Sequence, residues 1–130
     1  MRNLRVNLDE NSYDIFIEKG LLNQSGEFLK KIHTGKKVFI FTDENVAPLY
    51  LERLKKSLDT AGFSVFCDIL PAGEPTKAFG NMAKLYAALL AAGITRSDLI
   101  ITFGGGVVGD IGGFAAATYL RGVKFVQIPT

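Results

Sequence analysis

Hydrophobic and polar residues alternate at the beginning of the chain and then change to helical spacing. The alternation covers residues 2–8 and 13–17, and the turn-forming stretch 9–12 lies between them. Alternation of this kind predicts two strands that each bury one face. We therefore expect an antiparallel hairpin at the start of the chain.

After the hairpin, short apolar runs alternate with segments whose apolar residues recur every three or four positions. The predicted strands are 38–41, 63–70, 99–103 and 124–128, and the predicted helices are 24–32, 47–61, 110–120 and the segment from 79 to near 93. Strands that alternate with helices of this length predict crossover connections and a mostly parallel sheet. We expect a Rossmann-like α/β fold with helices on both faces of the sheet, in a single domain that covers residues 1–130.

The composition fits such a domain and argues against several other kinds of protein. With 130 residues, 48% of them hydrophobic, the chain can bury a core without disulfides. Its 15 basic and 13 acidic residues are too balanced for a dedicated nucleic-acid or membrane-surface binder. One cysteine and one histidine leave no zinc cluster within this chain, and that histidine, His33, is expected at a solvated helix end.

No targeting or membrane segment is evident in the sequence. The first residues lack the basic region and apolar run of a secretory signal, so a cytoplasmic location is expected. Residues 99–120 carry a single charge, Asp110, but that charge and three adjacent glycines argue against a membrane span.

A glycine-rich segment after strand 99–103 is the strongest candidate for a binding site. It reads Gly-Gly-Gly-Val-Val-Gly-Asp over 104–110, matches the G-x-G-x-x-G spacing and leads into a predicted helix. Glycines let a ligand approach the backbone, and a helix N-terminus offers N–H groups and a positive dipole to a phosphate. Tight packing of the helix on the sheet is the alternative explanation, with the acidic residue favouring the helix dipole. The candidate ligand-binding residues of this segment are Gly105, Gly106, Val107, Val108, Gly109 and Asp110. A carboxylate is unusual beside a phosphate, so Asp110 is expected to contact an uncharged part of the ligand or a hydroxyl group.

Polar residues also follow strand 38–41. In parallel sheets, ligands bind at the carboxyl ends of the strands, and Asp43 and Asn45 lie at such an end. The Asp43 carboxylate could accept hydrogen bonds from ribose hydroxyls and would repel a 2′-phosphate. Capping of the following helix explains the two residues equally well.

The loop after strand 63–70 has the third set of candidates. Gly73, Glu74 and Lys77 combine a flexible position with both charges at a strand end. Lys77 could neutralise a pyrophosphate, and Glu74 could accept a hydrogen bond. A solvated loop remains the alternative for this segment.

Taken together, these segments resemble the 3-dehydroquinate synthase family. The resemblance rests on Thr-Asp-Glu-Asn at 42–45, on the Gly-Glu-x-x-Lys loop at 73–77 and on an almost continuous match from residue 99 onward. It covers essentially the whole chain. The run Ala-Ala-Thr-Tyr-Leu-Arg-Gly at 116–122 is not expected in the related glycerol dehydrogenases and iron-dependent alcohol dehydrogenases.

The resemblance implies an NAD-dependent enzyme of the shikimate pathway. Members of the family convert 3-deoxy-D-arabino-heptulosonate 7-phosphate into 3-dehydroquinate and phosphate. NAD is reduced and then regenerated within the cycle, and a divalent metal, zinc or cobalt, polarises the oxidised carbon. The family also implies a homodimer.

The resemblance also implies a role for individual positions. Asp43 and Asn45 would hold the adenosine ribose, the loop at 73–77 and the segment 105–110 would contact the cofactor, and Thr130 would begin another cofactor turn. Arg121 would reach the substrate phosphate across a dimer interface. Family members continue into a larger domain with the metal ligands and substrate lysines, so we expect this chain to be an N-terminal cofactor domain that is inactive alone.

Two other kinds of function remain open. The first is a different enzyme of the same superfamily, either another sugar-phosphate cyclase or a polyol dehydrogenase. The second is a non-catalytic module that binds a nucleotide as a structural ligand.

Overall fold

Two separate β-sheets and four α-helices make up the described part of the chain. The computed structural model describes residues 2–73 and 80–130. The strands are β1 (Arg2–Val6), β2 (Tyr13–Ile17), β3 (Lys37–Asp43), β4 (Ser64–Leu70), β5 (Leu99–Gly104) and β6 (Lys124–Pro129). The helices are α1 (Ser25–Ile32), α2 (Glu52–Thr60), α3 (Gly80–Ala91) and α4 (Gly106–Thr118).

The first two strands form the predicted antiparallel hairpin. Arg2 lies opposite Ile17, and Val6 lies opposite Tyr13. Phe16 contacts Phe28 of α1 edge to face, with 4.6 Å between the ring centroids. The hairpin is a sheet of its own. The expectation that each of its strands buries one face was wrong, because the alternating apolar residues Leu4, Ile15 and Ile17 are exposed.

The second sheet has four parallel strands in the order β4-β3-β5-β6. The chain moves from β3 to β4 on one side, and then returns across β3 to place β5 on the other side. The direction of winding therefore reverses between β3 and β5. The predicted α/β class with a parallel sheet is confirmed.

Both faces of this sheet are buried, which explains why its central strands are continuously apolar. Val38 and Ile40 of β3 face α1 and α2, whereas Phe39 and Phe41 face α3 and α4. The core on the first face includes Leu29, Leu54, Leu58, Leu99 and Ile101, and the core on the second face includes Leu85, Leu89, Ile100, Ile111 and Ala115.

Helix α4 begins at Gly106, four residues before the expected start at Asp110. Two glycines inside α4 are needed for close packing of the helix on the sheet. A Cβ at Gly112 would overlap the Thr102 methyl group, and one at Gly109 would lie 2.8 Å from Nε2 of Gln127. Tertiary contacts thus override the low helix propensity of glycine.

Residues 99–120 are divided between β5, α4 and a tight turn. The helix ends at Thr118, and Leu120 and Arg121 adopt left-handed backbone angles with φ of 49° and 66°. In the described ranges, no helix is long and apolar enough to cross a membrane.

The expectation that His33 is solvated was wrong. The residue follows α1, but only 6% of its surface is exposed, and its ring stacks on Phe63 with 6.3 Å between centroids. Its Nε2 has no hydrogen-bond partner among the described residues. Burial lowers the pKa of His33, the cationic side chains of Lys124 and Lys30 lower it further, and Asp98 opposes the change.

The lowered pKa predicts that acid destabilises the fold through His33. The unfolded chain binds a proton near pH 6.5 and the folded chain only at lower pH, so the free energy of unfolding falls as the pH drops below 6.5. The slope from one such group is at most about 1.4 kcal/mol per pH unit.

Urea unfolding at several pH values between 5 and 7 measures this slope directly. Because His33 is the single histidine of the chain, the variant His33→Phe should have a nearly flat profile in that window. An equally steep profile in the variant would contradict the assignment.

Candidate functional site

The carboxyl ends of all four parallel strands meet at one edge of the sheet. Asp43 at the end of β3 lies opposite Leu70, and Gly104 at the end of β5 lies opposite Pro129. The backbone N–H of Thr130 donates to the Gly104 carbonyl over 3.2 Å. Because the winding reverses between β3 and β5, the ligand crevice of such a sheet is expected between Asp43 and Gly104.

The N-terminus of α4 opens directly at this crevice. The first bond of the helix runs from the Gly109 N–H to the Gly105 carbonyl over 3.1 Å. The N–H groups of Gly106, Val107 and Val108 therefore have no partner within the helix, and the N-cap residue Gly105 supplies no side-chain cap. A Cβ at Gly105 or Gly106 would meet nothing within 4 Å. The helix end is open to an anion such as a phosphate.

The glycines in and just after this segment lie in two different environments. Gly105 and Gly106 border open space, whereas Gly109 and Gly112 are packed against the sheet. Gly104 also allows close contact, because a Cβ there would lie 3.2 Å from Cγ2 of Val108. Close packing therefore accounts for Gly104, Gly109 and Gly112, whereas Gly105 and Gly106 leave space for a ligand.

The Asp43 carboxylate holds the corner at the end of β3. Its Oδ1 accepts hydrogen bonds from the backbone N–H groups of Asn45 at 2.9 Å and Val46 at 2.8 Å. Its Oδ2 lies 3.6 Å from the position that a Cβ would take at Gly104. One carboxylate oxygen therefore shapes the turn, and the other lies on the side of the crevice.

The remaining candidates have different placements. Gly73 is exposed and has a φ of +107°, which glycine adopts readily and other residues rarely do. Glu74 and Lys77 lie outside the described residues. Asp110 is exposed on the second turn of α4, so it does not open the helix as expected.

Arg121 is not brought to the crevice within one chain. Helix α4 starts at the carboxyl edge of the sheet, and Arg121 follows its end, just before β6 begins. A helix of 13 residues is about 20 Å long. Arg121 is exposed at the amino edge, on the far side of the domain from Asp43.

A metal does not fit the residues that the structure describes. Within 2–73 and 80–130, no group of three histidine, cysteine, aspartate or glutamate side chains could hold a metal ion.

One contact at this edge was missed by the sequence reasoning. Glu44 accepts a hydrogen bond at Oε1 from the backbone N–H of Ala72 over 3.2 Å. Its own N–H donates to the Leu70 carbonyl over 3.0 Å. Its position beside Asp43 at a strand end was the available signal.

Comparison with known proteins identifies relatives over the whole chain. Residues 68–130 match the family described as 3-dehydroquinate synthase N-terminal. A 3-dehydroquinate synthase of Clostridium beijerinckii is 54% identical over 130 residues, which is 100% of this chain and 37% of that protein. The chain thus spans about a third of the length of the curated relatives it matches.

Solved structures have the same fold. A 2-deoxy-scyllo-inosose synthase complexed with carbaglucose-6-phosphate, NAD⁺ and Co²⁺ matches 99% of this chain and 35% of its own, with a TM-score of 0.89 and 18% identity. The 2-epi-5-epi-valiolone synthase of Streptomyces hygroscopicus subsp. jinggangensis, with NAD⁺ and Zn²⁺ bound, matches 95% of this chain and 34% of its own, with a TM-score of 0.80 and 30% identity.

The sequence match and the fold lead to the same family. About half of the residues are identical in an alignment that covers the whole chain, which indicates homology. The solved relatives share the fold of the chain. The chain therefore belongs to the 3-dehydroquinate synthase family, in which it corresponds to the N-terminal domain.

Proposed function

We propose that residues 1–130 are the NAD-binding domain of a 3-dehydroquinate synthase. The complete enzyme would convert 3-deoxy-D-arabino-heptulosonate 7-phosphate into 3-dehydroquinate and phosphate, in the pathway that leads to chorismate and the aromatic amino acids. The observation that carries the proposal is the 54% identity over the full chain to an enzyme of that name. The open helix end beside a carboxylate supports the cofactor assignment.

The residues at the crevice suit the two polar parts of a dinucleotide. The N–H groups of Gly106, Val107 and Val108 would hold the pyrophosphate, because they lie at the N-terminus of α4 and have no partner within the helix. Asp43 Oδ2, with Asn45, would accept the hydroxyls of the adenosine ribose. When bound, NAD⁺ supplies a hydride acceptor for transient oxidation of a substrate hydroxyl.

The strand ends on either side would complete the cofactor site. Thr130 begins the segment after β6, and its N–H bond to Gly104 fixes it beside the glycine segment. Gly73, Glu74 and Lys77 would approach from the end of β4, and Asp110 from the second turn of α4. These assignments follow the family resemblance.

The chemistry of substrate turnover would lie in the rest of the enzyme. The described residues offer no metal-ligand set, so a zinc or cobalt ion would be held elsewhere. Arg121, remote from the crevice of its own chain, would contact the substrate phosphate across the interface of a homodimer. The 130-residue chain alone is expected to bind NAD⁺ without releasing phosphate from the heptulosonate phosphate.

Calorimetric titration of the chain with NAD⁺ and, in parallel, NADP⁺ tests the cofactor assignment. We expect NAD⁺ to bind and NADP⁺ to bind more weakly, because a 2′-phosphate would face the Asp43 carboxylate. Equal binding of the two would refute the ribose assignment, and failure of both would refute an autonomous NAD site.

A second enzyme class is favoured by one observation. The 2-epi-5-epi-valiolone synthase is 30% identical over most of the chain, so another sugar-phosphate cyclase is the second candidate. Expression of the full-length gene in a strain that lacks dehydroquinate synthase separates the two. Growth without aromatic amino acids supports the synthase, whereas no growth points to a different cyclase, a polyol dehydrogenase or a non-catalytic module.

A further inference from the structure

Glu44 connects the ends of two neighbouring strands beyond the last paired residues of the sheet. The register of β3 and β4 ends with Asp43 opposite Leu70. One residue later, the Glu44 N–H donates to the Leu70 carbonyl over 3.0 Å, and Glu44 Oε1 accepts from the Ala72 N–H over 3.2 Å. Glu44 thus forms one hydrogen bond with the last residue of β4 and another with the second residue after that strand.

The chain offers a single backbone donor between Leu70 and the turn at Gly73. Pro71 lacks a backbone N–H, so the Ala72 amide is the first donor that the chain offers beyond Leu70. Gly73 follows at once with a φ of +107° and turns the chain. The Glu44 carboxylate takes up the single amide available between the strand and that turn.

On its other side, Glu44 adjoins the corner that directs the Asp43 carboxylate. The N–H groups of Asn45 and Val46 fix Asp43 Oδ1, and Oδ2 is left on the side of Gly104. Glu44 lies between Asp43 and Asn45 in sequence. The bonds of Glu44 to the end of β4 and the bonds of Asp43 to Asn45 and Val46 are thus made within one corner, residues 43–46.

We propose that Glu44 is a positioning residue for the nucleotide site: by accepting the Ala72 N–H, it fixes the 43–46 corner against the end of β4 and keeps Asp43 Oδ2 directed at the crevice. The inference rests on the proposed NAD-binding function. It requires an acceptor oxygen at this position and not a negative charge, and these two properties can be separated by substitution.

The test compares Glu44→Ala and Glu44→Gln in the 130-residue chain, with Glu52→Ala as the control. Glutamine keeps an acceptor oxygen without the charge, and alanine removes both. Glu52 is an exposed carboxylate at the start of α2, and its side chain pairs only loosely with Lys55 at 3.9 Å. NAD⁺ affinity is measured by calorimetry, and exchange of the Ala72 amide proton by nuclear magnetic resonance.

The expected result is selective loss in the alanine variant. Glu44→Ala should weaken NAD⁺ binding roughly three- to tenfold, which is what one hydrogen bond contributes, and accelerate exchange at Ala72 by a similar factor. Glu44→Gln and Glu52→Ala should bind NAD⁺ within about twofold of the original chain, since each keeps that hydrogen bond.

Other outcomes overturn the proposal in distinguishable ways. Unchanged NAD⁺ affinity in Glu44→Ala, with normal binding by the original chain, removes the positioning role and leaves the proposed function intact. Equal losses in the alanine and glutamine variants show that charge matters and not the acceptor oxygen. If the original chain does not bind NAD⁺, the proposed function fails first, and the role of Glu44 fails with it.

Discussion

Replacing Gly112 with alanine is expected to destabilise the domain by about 1–3 kcal/mol, the usual cost of overpacking a core. The added methyl group would overlap Cγ2 of Thr102 and lie 3.6 Å from Cδ2 of Phe41. Both neighbours are buried, and threonine is branched at Cβ, so the contact cannot be relieved by rotation of a flexible side chain. Urea unfolding measures the change.

The next residue provides a matched control. A methyl group at Gly113 would meet the Phe125 ring at 3.5 Å, an ordinary contact, so Gly113→Ala should gain helix propensity and stabilise by up to about 1 kcal/mol. Removing the obstructing methyl with Thr102→Ser should rescue much of the Gly112→Ala loss. Equal effects at the two glycines, or no rescue, would contradict the close packing of α4 on β5.

Asp43→Asn is expected to reduce NAD⁺ affinity about tenfold and to abolish the preference over NADP⁺. Hydrogen bonds to a charged acceptor are worth about 1.5–3 kcal/mol, and a neutral amide forms weaker ones. The amide also lacks the negative charge with which the carboxylate repels a 2′-phosphate. The asparagine oxygen can still accept from the N–H groups of Asn45 and Val46, so the corner should persist. Titration with each nucleotide measures both effects.

Asp43→Ala separates the structural role of this residue from its binding role. Alanine removes the acceptor that Asn45 and Val46 use, so this variant should lose affinity and also about 1 kcal/mol of stability, which is typical of a lost hydrogen bond. A normal NAD⁺ preference in Asp43→Asn would place the ribose elsewhere. Identical unfolding curves for the two variants would show that the corner does not depend on Oδ1.

Local patterns predicted the elements of the parallel sheet because its strands and helices bury the apolar residues that their sequences offer. The continuous apolar run of β3 is buried on both faces. In the hairpin the alternation predicted the strands correctly, although its apolar residues Leu4, Ile15 and Ile17 are exposed. The sequence analysis placed the start of α4 too late, because glycine disfavours a helix in isolation. In the structure, Gly109 packs against Gln127 and Gly112 packs against Thr102, and both partners lie outside the helix. Helix propensity contains no information on such contacts.

The sequence predicted where the site lies but not which hydrogen bonds its side chains make. Strand ends in a parallel sheet meet at one edge, so Asp43 and the glycine segment could be placed together from the order of elements alone. That Asp43 uses one oxygen for the turn, and that Glu44 reaches Ala72, depend on side-chain directions that no periodicity encodes. The burial of His33 was unpredictable for the same reason.

The crevice joins two segments that are about sixty residues apart in sequence, Asp43 and Gly104. The two segments come together only when β5 has inserted beside β3, which is among the slower events in folding because it closes a long loop. A nucleotide that contacts both segments would bind the finished sheet and not its precursors. The folded fraction of the chain would then rise with the concentration of the nucleotide, since a ligand that binds only the native state stabilises that state.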